Sequence, residues 1–154
     1  MPEPEQVLRN VRSILVVDWP SEDVPNALAK AGYSVAVHGG PEPDNYLAYE
    51  MVDGDIRVRR TGAPPAEVDL VYAYRPIDEL PAIAAAGVAL GASTLWLQSG
   101  RTSDGGEDPL GCSLPPEEAR RARAIVDKAG LAYLDRPYIV DAVRDLGSDG
   151  HGTT

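Results

Sequence analysis

Five short apolar runs punctuate the chain, at Ser13–Val17, Ser34–His38, Leu70–Tyr74, Thr94–Leu97 and Ala132–Leu134. Each is nearly continuous rather than alternating, the pattern of parallel strands covered on both faces. Between most of them, apolar residues recur at helical spacing. Val24, Ala27, Leu28 and Ala31 share one face, as do Ile77, Leu80, Ala84 and Val88. Ala119, Ala122, Ile125, Val126 and Ala129 form a third stripe. Gly32, Gly91 and Gly130 stand just beyond these three helices as stop signals. The third helix is the best marked: Pro115 and Pro116 suit its first turn, Glu117 and Glu118 its positive end, and Lys128 its negative end. A last helix is expected from about Tyr138 to Leu146, with a flexible tail over Gly147–Thr154.

Two stretches break the alternation. Ile56-Arg57-Val58-Arg59 alternates and fits one extra edge strand. Ser99–Pro115 carries Gly100, Gly105, Gly106 and Gly111, and a connection of that length is usually functional or disordered. The whole pattern predicts an α/β fold. It is Rossmann-like and doubly wound in three layers, with a mainly parallel five-stranded sheet and room for one more edge strand. Residues 13–146 form the domain, and residues 1–12 an N-terminal extension.

Composition narrows the chemistry. At 154 residues the chain fits one domain, and its core is rich in Ala, Val and Leu with no Phe. A net charge of −10 argues against nucleic acid or an anionic membrane as partner. No run of about 18 apolar residues occurs, and Met1–Arg12 lacks the apolar core of a signal peptide, so a cytoplasmic protein is expected. The lone Cys112 excludes an intrachain disulfide, and its acidic loop gives no reason for a reactive thiolate.

Ligands of open α/β sheets bind beyond the carboxyl ends of the strands. Those ends carry Asp18-Trp19-Pro20-Ser21, His38-Gly39-Gly40, Tyr74-Arg75-Pro76, Gln98-Ser99-Gly100-Arg101 and Asp135-Arg136-Pro137. Arginine suits phosphate, because its planar fork pairs with two oxygens at once. Trp19 offers a stacking surface or simply packs on its own domain. Asp18 reads as a loop or capping carboxylate rather than a functional group, and Asp135 as a support for Arg136. His38 has no Cys or His partner in sequence, so no metal is expected. Arg57, Arg59 and Arg60 are in reach of a phosphate or serve to keep an edge strand solvated.

The order Gly32-Tyr33-x-Val35, Asp69-x-Val71-x-x-Tyr74-Arg75, Trp96-Leu97-Gln98-x-Gly100 and Asp135-Arg136 resembles the small CoA-binding proteins related to the CoA-binding domain of the succinyl-CoA synthetase alpha subunit. The similarity runs over about Ser13 to Ile139. It implies a pocket for CoA, acyl-CoA or a similar nucleotide along the strand ends. In that pocket Trp19, Pro20 and Ser21 would form the first turn, and His38 and Gly39 the second. Tyr74 and Arg75 would line the adenosine and phosphate side, and Gln98, Ser99 and Gly100 the diphosphate or pantetheine path. Arg136 would stand at the far rim.

Some positions depart from the family pattern. Its first turn has Gly-x-Ser, where this chain has Asp18, Trp19 and Pro20, followed by Glu22 and Asp23. Gly39-Gly40 replaces an Asn-Pro, and Pro137 replaces a cysteine. The expected function is non-covalent binding of CoA, acyl-CoA or a related nucleotide, without catalytic machinery. A degenerate CoA-binding fold serving as a protein-interaction or regulatory module is the alternative, and a homodimer or another protein partner stays open. An enzyme acting on an acyl-CoA or nucleotide stands last, because no nucleophile–base pair is placed for it. A receiver domain lacks its phosphorylatable Asp and its Lys at the strand ends, and a dinucleotide dehydrogenase lacks its Gly-x-Gly-x-x-Gly. A serine hydrolase lacks the glycine two residues before Ser99.

Overall fold

The computed structural model describes residues 3–19, 22–39, 44–98 and 114–152. Seven strands form one sheet: β1 (Ser13–Val17), β2 (Ser34–His38), β3 (Tyr46–Val52), β4 (Asp55–Arg60), β5 (Leu70–Tyr74), β6 (Thr94–Gln98) and β7 (Ala132–Leu134). Their order is β4-β3-β2-β1-β5-β6-β7. The five strands read from apolar runs are the parallel part. β3 and β4 add an antiparallel hairpin at the β2 edge. The five-plus-one reading is therefore one strand short. Tyr46–Val52 was hidden because it carries Glu50 outward and has no clean apolar alternation, but the turn Asp53-Gly54 marks it. Both turn residues have positive φ, 53° and 85°, as a two-residue hairpin turn requires.

The helices are α1 (Pro4–Asn10), α2 (Asp23–Lys30), α3 (Leu80–Ala89), α4 (Pro116–Lys128) and α5 (Ile139–Gly152). α1, α2 and α5 cover one face, where Leu8, Val24, Leu28 and Ile139 pack on Ile14, Val16, Val35, Tyr72 and Trp96. α3 and α4 cover the other, where Leu80, Ala84, Ala122 and Val126 pack on Leu15, Val71, Leu95 and Leu97. Successive strand residues thus enter opposite cores, which is why the runs are continuous. The N-terminal segment is part of this packing, since Leu8 and Val11 are buried in the first core. Each fully buried aliphatic side chain stabilises the fold by about 1.5–3 kcal/mol.

The three glycine stops hold, with φ of 99°, 89° and 89° at Gly32, Gly91 and Gly130. Two helix details differ from the sequence reading. Ile77–Glu79 forms a tighter 3₁₀ turn ahead of α3, which shifts the phase of the helix that follows. Its buried face is Leu80, Ala84 and Gly87, and Val88 is left 46% exposed. α5 also runs on to Gly152 instead of ending at Leu146. A glycine inside a helix costs only about 1 kcal/mol, which is too little to stop one unaided.

At the amino end of the central strands, the Asp69 carboxylate joins β1 to β5. Its Oδ2 accepts the N–H groups of Arg12 and Ser13 at 2.8 and 3.2 Å, while Asp69 N–H donates to Ser13 Oγ at 3.1 Å. The Arg12 N–H bond leads the causes that hold the Asp69 carboxyl below its ordinary range.

Candidate functional site

The chain leaves β1 toward β2 on one side, and the later strands add on the other, so strand order reverses between β1 and β5. Val17 and Ala73 face each other across that seam. The residues that follow, Asp18 and then Tyr74 and Arg75, stand at the place where open α/β sheets take their ligands. The topology also brings Trp19, His38, Gly39, Gln98 and Arg136 to this carboxyl edge. By ordinary strand spacing, the edge from β1 to β7 spans about 14 Å.

The reversal point is closed by a charge network. Asp18 adopts φ 63°, a left-handed backbone that glycine prefers and aspartate tolerates. Its Oδ1 accepts the N–H of Trp19 at 2.9 Å, and its Oδ2 accepts Arg75 Nη1 at 3.0 Å. Arg75 Nε also donates to both Glu79 oxygens at 3.1 Å, and Nη2 donates to Glu79 as well. Bonding to Glu79 first, and to Asp18 second, pushes the Arg75 pKa above its ordinary value. Glu79 was not among the candidate residues read from the sequence. Its signal was the four-residue spacing from Arg75, which lets the two side chains meet.

The carboxylate of Asp18 therefore takes the same two donors that an anionic ligand would seek here, a turn N–H and a guanidinium. The next residue, Pro20, has no N–H to offer. Glu22 is the N-terminal cap of α2 and makes no side-chain capping bond, and Asp23 lies in the first turn. Two carboxylates, those of Asp18 and Glu79, thus bear directly on Arg75.

Trp19 is half-buried and packs against the first core, with its ring edge close above Gly39. Tyr74 is also partly buried against that core. The His38 ring stacks on Tyr46 with centroids 4.5 Å apart, a contact made across the β2–β3 pair. Gln98 is fully buried: its Oε1 accepts the N–H of Ile139 at 3.2 Å and its Nε2 lies 3.5 Å from the carbonyl of Asp135. It ties the end of β6 to the start of α5. Pro20, Ser21, Ser99 and Gly100 lie outside the described residues, as does Cys112.

Arg136 is differently placed. Its side chain is 63% exposed, and its Nε donates to Asp135 Oδ1 at 3.3 Å. No described residue bonds its two terminal nitrogens. Asp135 is buried and also accepts the Tyr133 hydroxyl at 2.9 Å. Burial, followed by the neighbouring Asp135 carboxylate, raises the Tyr133 pKa well above the ordinary phenol value. The expectation that Asp135 supports Arg136 is thus met in geometry. Arg59 pairs with Glu50 across the hairpin at 2.9 Å, and Arg57 and Arg60 are exposed along β4.

Two open hollows lie away from this edge. One, of about 510 Å³, sits at the amino ends of the strands between Leu8, Arg12, Tyr33 and Ser34. The other, of about 320 Å³, lies on the sheet face between Ala36, Ala48, Arg59 and Pro65. Among the described residues no group of His, Cys, Asp and Glu could hold a metal, and no helix is long and apolar enough to cross a membrane.

A family model described as a CoA binding domain matches residues 16–142. No curated protein matches the chain. Among solved structures, the chain is similar to Prb, the PH1109 protein redesigned for binding, at 18% identity and a TM-score of 0.55, over 93% of this chain and 89% of that one. It is also similar to a conserved hypothetical protein of Pyrococcus furiosus, at 22% identity and a TM-score of 0.45, over 84% and 98% of the two chains. A protein of unknown function from Methanothermobacter thermautotrophicus aligns at 10% identity and a TM-score of 0.44, over 86% and 84%.

Proposed function

Because the chain belongs to the CoA-binding domain family, we propose that it binds CoA, an acyl-CoA or a related nucleotide non-covalently along the carboxyl edge of its sheet, with no catalysis of its own. The observation that carries this reading is the convergence of Trp19, His38, Tyr74, Arg75 and Arg136 from the ends of β1, β2, β5 and β7 onto one edge about 19 Å long. That layout suits an elongated ligand with aromatic and anionic parts.

A diphosphate does not fit the first turn as folded. The Trp19 N–H and the Arg75 guanidinium already serve Asp18, and Glu22 and Asp23 would repel further negative charge. Phosphate has a better partner in Arg136, whose terminal nitrogens are open to solvent beyond its bond to Asp135. Trp19 and Tyr74 supply apolar surface for a purine. The same closed turn favours a second reading, in which the fold has lost its ligand and serves as a protein-interaction or regulatory module.

Isothermal titration with CoA, using ADP as control at low and moderate salt, separates the two. Under the first reading CoA binds with Kd near or below about 10 μM, roughly −7 kcal/mol, and Arg136→Ala weakens it. The absence of heat with either ligand, in a protein shown to be folded, makes the interaction module the leading account.

A further inference from the structure

We infer that Asp18 is a built-in anion: its carboxylate occupies an anion site at the β1 turn and excludes external phosphoryl groups from it. The site is defined by what holds the carboxylate. One oxygen takes a main-chain N–H at 2.9 Å and the other takes a guanidinium N–H at 3.0 Å. Both are donor types that receive phosphate oxygens, and they meet at the reversal of strand order. The backbone of residue 18 is left-handed at φ 63°, a conformation that a glycine would adopt without a carboxylate to fill the space beside it.

Glu79 makes the closure firmer. It engages Arg75 through Nε and Nη2, while Nη1 reaches Asp18. Arg75 is thus fixed in direction, aimed at the turn and occupied there. The side chains of Asp18, Arg75 and Glu79 are 45%, 37% and 46% exposed, so solvent and small ions reach the network. What keeps a phosphate out is occupancy and charge, and burial plays little part. Ion pairs this exposed contribute little to stability, so Asp18 can be replaced with the fold intact.

This inference goes beyond the proposed function, because it concerns the turn itself and holds whether or not the wild-type chain binds CoA. Its test therefore uses inorganic pyrophosphate as probe. The variants are Asp18→Gly, which suits the left-handed backbone, and Asp18→Asn, which keeps the shape and removes only the charge. Wild type, both variants and the double variant Asp18→Gly/Arg75→Ala are titrated calorimetrically at low salt, with thermal unfolding to confirm folding. Loss of a negative charge in contact with the probe should strengthen binding by about tenfold or more in each single variant. The gain should vanish in the double variant, because Arg75 is the donor released. Equal pyrophosphate affinity in wild type and both single variants overturns the inference. So does no binding by any folded variant, which would mean the turn is no anion site. A gain that survives Arg75→Ala also overturns it, by placing the anion elsewhere. CoA titrated against the same wild-type sample reports separately on the proposed function.

Discussion

Replacement of Gln98 by methionine tests whether this residue holds the fold or faces a ligand. Gln98 is 0% exposed, and its carboxamide oxygen is the acceptor for the Ile139 N–H, the first helical donor of α5. Methionine nearly conserves the volume, so the packing cost is small, below about 1.5 kcal/mol. What is lost is polar pairing. Leaving the buried Ile139 N–H without an acceptor costs about 1–3 kcal/mol, and the longer contact to the Asp135 carbonyl adds less. The sum is about 2–3 kcal/mol, or a fall in Tm of roughly 5–10 °C for a chain of this size. Urea unfolding, followed by circular dichroism, measures the difference at equal m-value. A variant within about 0.5 kcal/mol of wild type would refute the reasoning and favour a Gln98 amide that faces a ligand. A stability loss with the Kd of any bound ligand unchanged in the folded protein is the outcome expected of a purely internal role.

Asp69→Asn should lower stability by about 1 kcal/mol at neutral pH, since a charge-assisted pair of N–H bonds is weakened. The Asp69 pKa is depressed on folding, so its contribution is present above the unfolded value near 4 and is lost as pH falls through the folded value. Wild type and variant should therefore converge in acid, and a gap that stays constant in urea midpoints down to pH 2 would contradict this. Gly87→Ala should destabilise despite its better helix propensity, because the added Cβ would lie 2.9 Å from Val71 Cγ2 in the second core. Adding Val71→Ala should recover part of the loss measured for Gly87→Ala, and strict additivity of the two costs would remove that contact as the cause.

The parallel sheet was legible because its strands are buried on both faces, so each one announces itself as an unbroken apolar run. β3 was not, since Glu50 and the half-buried Tyr46, Leu47 and Ala48 blur both strand templates. α1 escaped notice for a simpler reason: seven residues with Leu8 as their buried anchor contain no period to detect. The strand ends that form the candidate site were readable in place, and the state of their side chains much less so. Strand ends told where Asp18, Arg75, Gln98 and Arg136 would gather. That Asp18 and Arg75, 57 residues apart in sequence, bond to each other is a product of tertiary pairing, which no local pattern encodes. Gln98 shows the same limit, because a motif position records which residue is used and not whether its amide turns inward.

The two margins of the sheet have unequal prospects for self-assembly. β7 is three residues long and gives an incoming strand little to pair with. β4 is twice that length, and its outer ladder of N–H and C=O groups has no neighbour among the described strands. Two copies docking there antiparallel, centred on Val58, would set Arg57 of each against Arg59 of the other, and like charges directly opposite oppose pairing. The arginines thus act at the level of many molecules: a concentrated solution of this chain is guarded against growth into stacked sheets at its longest open edge.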